Sequence, residues 1–479
     1  MPYKNLAWTL ILIPMAMPGV LFSMSWVLLL SPNTGIINVW LRSLLEIVGV
    51  HLERGPINIF SLGGMIFLEG VRGLTSLFLI LISAFRMMDP ALEEAARVAG
   101  MSGWKTVRHI TLPVLTPAIL LAGIYSFMSS LDSFEIPAVV GLPARIFVLS
   151  TLIFFTARQA APIDYGLSAA YASLFLIITV VLVYVYHRAV RRNENYTTVT
   201  GKGYRPRQIS LGRWRYPALG IFCVYFLLTI GAPLLVLIWS SLLPRYAPPS
   251  IEALSRISLK NYRALFDDES ALRALFNTVK LMLLTASLTM FLALFISWLV
   301  VRSRAAGRWI LDAIAFIPHA IPGIVIGLAL IFLYLQPPFS YIPIYGTLWI
   351  VALGLMTQYL AYATRVTNAA IIQIHQELED AARICGLTRI KAILWVTVPL
   401  VMPALVGGWI WVAIHSIRAF STPLILAGRY NEVLAVRLWE YWDHGELTTA
   451  TALGVLFVLV LAAITFAGRK LMLRFVPGA

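Results

Sequence analysis

One segment of this chain occurs twice, and this repetition constrains the fold more than any other feature of the sequence. Residues 92–119 read LEEAARVAGMSGWKTVRHITLPVLTPAI, and residues 378–405 read LEDAARICGLTRIKAILWVTVPLVMPAL. Eleven of the 28 aligned pairs are identical, and the register of 286 residues holds without a gap. A single copy would be typical of an amphipathic loop. Two copies in register indicate two equivalent halves and a surface that binds two copies of a partner.

Local signals in the repeat predict two short helices joined at a glycine. Asp89-Pro90 is a favourable helix start, because an aspartate caps the helix and proline at the first position lacks only an N–H that has no partner there. Gly100 fits a left-handed helix stop, and Ser102 is placed to cap a second short helix. Pro113 then opens a membrane helix. We call this helix–glycine–helix unit the elbow.

The composition indicates a membrane protein rather than a soluble one. Of the 479 residues, 59% are hydrophobic and only 12% are charged, and apolar runs of about 20 residues recur, which is the length that crosses a bilayer. The predicted fold class is an all-α integral membrane protein with about ten transmembrane helices in two homologous halves. The predicted spans are residues 8–30, 60–85, 113–136, 165–186, 216–242, 274–301, 309–335, 346–370, 398–420 and 448–468.

A second sequence match shows how the halves differ. IPMAMPG at 13–19 resembles IPHAIPG at 317–323, so the first half starts where the third helix of the second half starts. We therefore predict a first half at 1–187 with four spans, lacking the opening helix pair, and a second half at 216–479 with six. A basic linker, 188–215, joins them. Because the chain starts abruptly beside Lys4, we expect the upstream DNA to encode two further spans.

The distribution of charge predicts the orientation. If the elbows face the cytoplasm, the segments on that side hold more than half of the 37 lysines and arginines, including the basic linker. The opposite loops hold half of the 22 acidic residues. The excess of positive charge on cytoplasmic loops therefore places both elbows and both termini in the cytoplasm. The net charge of +15 thus indicates membrane topology rather than nucleic-acid binding.

The sequence contains no recognisable catalytic or cofactor motif. It has no phosphate-binding G-x-x-x-x-G-K-[ST] loop and no H-E-x-x-H, so we expect neither an enzyme nor a cofactor. Cys223 and Cys385 have no metal-ligand spacing. The histidines are scattered and are interpreted as surface or packing residues: His51, His109, His187, His319, His375, His415 and His444.

The repeat resembles the cytoplasmic "EAA" loop of permease subunits in binding-protein-dependent ABC importers. LDSFEIPAVVGLP at 131–143 and INIFSLGGMIFLEG at 57–70, on a chain with two permease halves, most resemble the ferric-iron transport permeases. The resemblance implies a multi-pass protein of the bacterial cytoplasmic membrane. Its expected partners are two ABC ATPase subunits at the elbows and a periplasmic solute-binding protein at the outer loops. Thiamine, polyamine and phosphonate permeases share this architecture and stay open as alternatives.

The same resemblance assigns the coupling residues. In the first elbow they are Glu93, Glu94, Ala95, Ala96 and Gly100, and in the second Glu379, Asp380, Ala381, Ala382 and Gly386. We expect Glu93 and Glu379 to be surface carboxylates that contact the ATPases. The alternative class, an ion-coupled secondary transporter with parallel repeats, needs acids near the membrane midplane and no elbows.

Charged residues near the ends of two spans suggest a transport pathway. The helix after the first elbow presents Tyr125, Ser129, Asp132 and Glu135, and the helix after the second presents Trp411, His415, Arg418 and Ser421 in the same register. Ionisable groups at membrane depth are costly and commonly face a cavity or a partner. One hypothesis is a gate in which an acid of the first set pairs with Arg418. The other is a permanent salt bridge. Glu69, Arg72 and Asp312 are interpreted as structural residues.

Overall fold

The computed structural model describes residues 4–193, 212–303 and 306–475, and within these ranges the chain is helical, without strands. Most of the predicted basic linker, 194–211, lies outside the described residues, as do residues 1–3 and 476–479. The all-α prediction is therefore confirmed. The first helices are α1 (Lys4–Leu12), α2 (Gly19–Leu30), α3 (Ile36–Ile47), α4 (Leu62–Met87), α5 (Pro90–Val98), α6 (Gly103–Thr106), α7 (Leu112–Leu131), α8 (Leu149–Phe154) and α9 (Tyr165–Asn193).

The rest of the chain continues in the same way. Its helices are α10 (Arg215–Phe226), α11 (Ala232–Ser241), α12 (Ile251–Ser255), α13 (Lys260–Asp267), α14 (Glu269–Arg302), α15 (Arg308–Phe316), α16 (Gly323–Leu335), α17 (Leu348–Ile372), α18 (Glu377–Ile384), α19 (Arg389–Ala392), α20 (Val398–Arg418), α21 (Ser421–Leu426), α22 (Leu434–Asp443) and α23 (Leu447–Phe475).

Seven helical segments of the described chain are long and apolar enough to cross a membrane, and nine are when each of two bent pairs is counted as one span. The bends, of 99° between α1 and α2 and 113° between α15 and α16, fall in the matching IPMAMPG and IPHAIPG sequences. Their prolines lack the N–H that would continue a helix, which explains the break. The tenth predicted span is α17, which is 25 residues long but is not among the qualifying helices. The count of ten is thus not confirmed.

The two halves repeat one arrangement of helices in the 286-residue register. Helix α4 starts at Leu62 and α17 at Leu348, and α7 and α20 follow their respective elbows. After each of these a short helical segment is buried, Pro137–Gly141 beside α2 and α4, and α21 beside α16 and α17. In the second half, the long helix α14 packs against both α17 and α20. These shared contacts place the elbows at the start of equivalent helices.

The chain forms two compact units whose limits differ from the predicted halves. One unit comprises residues 1–151 and 177–235, and the other comprises residues 152–176 and 236–479. Helix α10, which opens the second half in sequence, packs in the first unit against α1. There Tyr225 and Thr75 share a 2.6 Å hydrogen bond, and Phe222 packs edge-to-face on Phe78. The predicted boundaries 1–187 and 216–479 therefore describe the sequence repeat, whereas packing assigns α10 to the first unit.

Candidate functional site

Each elbow has the helix–glycine–helix form that the sequence predicts. The Asp89 side chain accepts a hydrogen bond from the backbone N–H of Ala91 at 2.9 Å, so the first short helix, α5, is capped as expected. Gly100 and Gly386 adopt φ values of +79° and +92° after α5 and α18. Other residue types are strained in this left-handed region, and no other atom crowds either position. The glycines are therefore required by the backbone turn.

The second short helix of each elbow continues directly into a membrane helix. Helix α6 passes through a π-helical turn, Val107–Thr111, into α7, and α19 passes through Ile393–Thr397 into α20. Both turns end two residues before a proline (Pro113 or Pro399) that cannot donate to the carbonyl four residues earlier, and a wider turn accommodates that loss. Motion of the elbow would thus reach the membrane helix without an intervening loop.

The predicted cap at the second short helix forms in only one elbow. The Thr388 side chain accepts a hydrogen bond from the N–H of Lys391 at 3.4 Å. Ser102 holds the equivalent position with an extended backbone, but its side chain makes no capping bond. The prediction for Ser102 was therefore wrong, because position alone does not orient the hydroxyl toward the helix.

The elbows expose apolar side chains at equivalent positions. Val98 at the end of α5 is 90% exposed, and Ile384 at the end of α18 is 86% exposed. Trp104 and Ile390, which follow the glycines, are also exposed. Apolar groups in water are unfavourable, and clusters of them commonly mark a protein interface. Exposed apolar residues at matching ends of the two elbows indicate a docking surface that occurs twice.

The leading glutamates of the elbows point inward, which corrects the expectation that both are surface carboxylates. Glu379 is only 8% exposed and accepts a 2.8 Å hydrogen bond from the hydroxyl of Thr397. Glu93 is half-buried and accepts the equivalent bond, 2.9 Å long, from Thr111. Each threonine lies 18 residues after its glutamate, at the end of the π-helical turn. The sequence register matched both pairs but gave no sign of the contact.

An arginine from α14 completes this contact in the second half. The Arg302 Nε lies 3.3 Å from the Glu379 carboxylate, and both side chains are about nine-tenths buried. The Arg302 guanidinium also donates to the carbonyls of Ile371 (3.0 Å) and Ile374, at the end of α17. One carboxylate thus joins the end of α14, the end of α17, the elbow and the start of α20.

The other predicted coupling residues lie on the same short helices. Glu94, Ala95, Asp380 and Ala381 are exposed, so they are available to a docked partner. Ala96 is buried and Ala382 half-buried on the inner side. The EAA sequence therefore has two faces, of which one packs against the membrane helices and the other faces outward.

A charged cluster lies within the first unit, where the sequence suggested structural residues. Arg72 on α4 pairs with Glu135 and lies 3.9 Å from Glu69, and the Ser133 hydroxyl donates to Glu69. The charge of Asp132 also acts on Arg72. Glu135 does not continue the face of α7, as the sequence suggested, because α7 ends at Leu131. It lies at the start of the buried segment that follows.

The second half has a neutral cluster at the equivalent place. A Cβ on Gly19 would collide with Arg72 and Glu135, and a Cβ on Gly323, its match in the bent-pair motif, would collide with Gln358 and Thr422. The glycine of each motif therefore makes room for a polar pair. Gln358 lies 286 residues after Arg72, and Thr422 donates to the carbonyl of Gly323 at 3.0 Å. The same packing site is ionic in one half and uncharged in the other.

The predicted pathway residues of the second half form an aromatic stack. The Trp411 ring lies between those of Tyr362 and His415, with ring centroids 3.7 and 3.8 Å away, and Tyr359 packs edge-on. Arg418 is the last residue of α20. In the first unit, Tyr125 and Ser129 are exposed on α7 and Asp132 follows its end. Because Asp132 and Arg418 belong to different units, their pairing stays a prediction.

Two further ion pairs lie in the second half. Asp312 pairs with Arg365 at 3.0 Å, in agreement with its structural interpretation. At the end of α14 opposite the elbow, Asp268 accepts bonds from Ser270, Arg437 and Tyr441. Burial raises the pKa of Asp268, but these hydrogen bonds outweigh burial and hold that pKa well below its usual range. The cluster ties the start of α14 to α22.

The geometry defines a helical membrane protein with two equivalent docking elbows, each continuous with a membrane helix. The model of the family "Binding-protein-dependent transport system inner membrane component" matches residues 2–195 and 275–476. The chain belongs to this family and is a multi-pass permease subunit of an ABC importer. The two matched regions fall in the two predicted halves.

Relatives in this family transport different substrates. The chain is 25% identical to the ferric transport system permease protein FbpB of Actinobacillus pleuropneumoniae, over 81% of this chain and 55% of that protein. It is 25% identical to the putative ferric transport system permease protein FbpB 1 of Haemophilus influenzae, over 73% of this chain and 54% of that protein. The chain thus spans about half the length of these curated relatives. It is 24% identical to the sulfate transport system permease protein CysT of Salmonella typhimurium, over 52% of this chain and 93% of that protein.

Solved structures give a weaker match. The crystal structure of a bacterial ABC transporter involved in the import of the acidic polysaccharide alginate aligns with a TM-score of 0.45 and 19% identity, over 54% of this chain and 94% of that chain. The assignment to the family therefore depends on the sequence match and the elbows.

Proposed function

We propose that this chain is the permease subunit of an ATP-driven importer that takes up ferric iron. Two ATPase subunits each bind one elbow, and a periplasmic solute-binding protein delivers the substrate at the outer loops. Both termini lie in the cytoplasm, as the distribution of lysine and arginine predicts. The observation that carries the ATPase proposal is the doubled exposed apolar surface at Val98 and Ile384. The names of the FbpB relatives support iron.

The chemistry of the first unit also favours a cation. Glu69, Asp132 and Glu135 provide three carboxylates around one arginine, Arg72. Their net charge attracts a cation and repels an anion such as sulfate. This is a specific reason to prefer the ferric relatives over the sulfate relative of similar identity.

The gate remains part of this proposal, in a narrower form. Glu135 is already paired with Arg72 within its own unit, so Asp132 is the better partner for Arg418. We propose that Asp132 and Arg418 pair when the pathway is closed, on the basis of their common register. Tyr125, Ser129 and His415 would line the same passage.

Uptake by the reconstituted system tests the substrate. The chain, its cognate ATPase and its cognate binding protein are incorporated in or added to vesicles with internal ATP, and radioactive ferric citrate or sulfate is supplied outside. We expect uptake of ferric iron that needs both ATP and the binding protein, because neither the chain nor a gradient supplies the driving force. Saturable uptake of sulfate without uptake of iron would contradict the iron proposal and leave the permease assignment intact.

A further inference from the structure

The inward-facing glutamates raise the question of what they do, because a partner docked on the outer face of the elbow cannot reach them. Glu379 is buried, and its hydrogen bond and ion pair are made within the permease. The exposed apolar residues lie at the other end of the same short helices. The elbow therefore has a docking face and a separate inner contact with the membrane helices.

We propose that Thr111 and Thr397 are positioning residues that fasten each elbow to its membrane helix, so that elbow and helix move as one body. Each threonine hydroxyl donates to the elbow glutamate across the left-handed glycine turn, at 2.9 Å in the first elbow and 2.8 Å in the second. Both hydroxyls are buried, on the π-helical turn that leads into α7 or α20. A hydrogen bond to a carboxylate is stronger than one between neutral groups.

The alternative path for force is the backbone alone. The turn at the glycine is a single left-handed residue with open space around it, so it resists bending only weakly. A bond between Glu93 and Thr111, which are 18 residues apart, closes the elbow into a loop and removes that freedom. The same bond recurs at Glu379 and Thr397, at the same spacing, although most other side chains of the turns differ.

The two fastenings differ in strength, which gives the inference a specific test. In the second elbow, Arg302 holds Glu379 independently of Thr397 and binds two carbonyls of α17. The described residues of the first half place no arginine at Glu93 in this way. Loss of one hydroxyl should therefore loosen the first elbow but not the second. The second elbow should loosen only when Thr397 and Arg302 are both changed.

The variants follow directly from this difference. Thr111→Val and Thr397→Val remove the hydroxyl with little change in volume, and Thr111→Ser and Thr397→Ser keep it. Arg302→Gln is made alone and together with Thr397→Val. We expect ATP-driven ferric uptake per ATP hydrolysed to fall roughly tenfold in Thr111→Val and in the Thr397→Val, Arg302→Gln pair, the factor of one lost charge-assisted hydrogen bond. Uptake per ATP should be near wild type in both serine variants and in Thr397→Val alone.

A second readout follows the elbow directly and does not depend on the substrate. Cys385 is exposed in the second elbow, so a spin label there can be paired with a label at Val406→Cys on α20, in a Cys223→Ser background. Wild-type protein with bound ATPase should give one narrow distance with and without ATP. The Thr397→Val, Arg302→Gln pair should give a broad distribution that changes with ATP.

The inference depends on the proposed docking of ATPases, and the two can fail separately. If purified cognate ATPase does not bind the wild-type chain, the proposed function is wrong. If it binds every variant with wild-type affinity and uptake per ATP stays unchanged in Thr111→Val, the fastening is wrong while docking stands. Equal losses in the valine and serine variants would also overturn the inference, because the hydroxyl would then not be the cause.

Discussion

Replacing Gly386 with proline is expected to abolish coupled transport while the protein still inserts in the membrane. Gly386 has a φ of +92°, whereas proline is fixed near −65°, so the turn between α18 and α19 cannot form. Proline also removes the N–H that binds the carbonyl of Arg383 at 3.0 Å. These losses amount to about 3 kcal/mol or more, confined to the elbow. Uptake and ATP hydrolysis in vesicles measure the effect, and the amount of inserted protein is the control.

Two matched substitutions separate the turn from other effects of the glycine. Gly386→Asn should retain most activity, because asparagine is among the residues that enter the left-handed region most readily. Gly407→Pro on α20 tests whether any proline in this half has the same effect, since it lies in the membrane helix rather than the elbow. Wild-type coupling in both Gly100→Pro and Gly386→Pro would refute a mechanical role for the elbows.

Removing the charge of Arg72 is expected to destabilise the first unit strongly. Arg72→Gln leaves Glu135 and Glu69 without their cation in a partly buried site. Breaking a fully buried pair typically costs 3–5 kcal/mol, and about 2–3 kcal/mol is reasonable here because a third of the Arg72 side chain is exposed. The temperature at which the detergent-solubilised protein loses its fold measures this loss.

The second half provides the matched control. Arg72→Gln together with Glu135→Ser reproduces the residues that stand 286 positions later, Gln358 and Ser421. That double variant should be more stable than Arg72→Gln alone, because no carboxylate is left unpaired at this site and the neutral pair already packs beside Gly323. If the double variant is no more stable than the single one, the ion pair is not the reason for the loss.

The elbows show what the sequence can predict. Asp89, Gly100 and Gly386 act through their own backbone, so their roles are visible in the residue type and its position. The repeat register then correctly matched the two elbows. Local chemistry of this kind needs no knowledge of the tertiary fold.

The inner contacts could not be predicted in this way. Arg302 and Glu379 are 77 residues apart, and Arg72 and Glu135 are 63 apart, so only the packing of helices brings them together. Glu379 therefore looked like a surface carboxylate. One signal was available, because the glycines of the two bent-pair motifs, Gly19 and Gly323, indicate close approach of another element.

Counting the ATPase subunits bound to each chain tests the central claim most directly. The chain is co-expressed with its cognate ATPase and the intact complex is weighed by native mass spectrometry. The account predicts two ATPase subunits on the wild-type chain, one on Val98→Asp or on Ile384→Asp, and none on the double variant, because each charge falls in one apolar docking surface. Two subunits bound to the double variant would contradict the assignment of the elbows as docking sites.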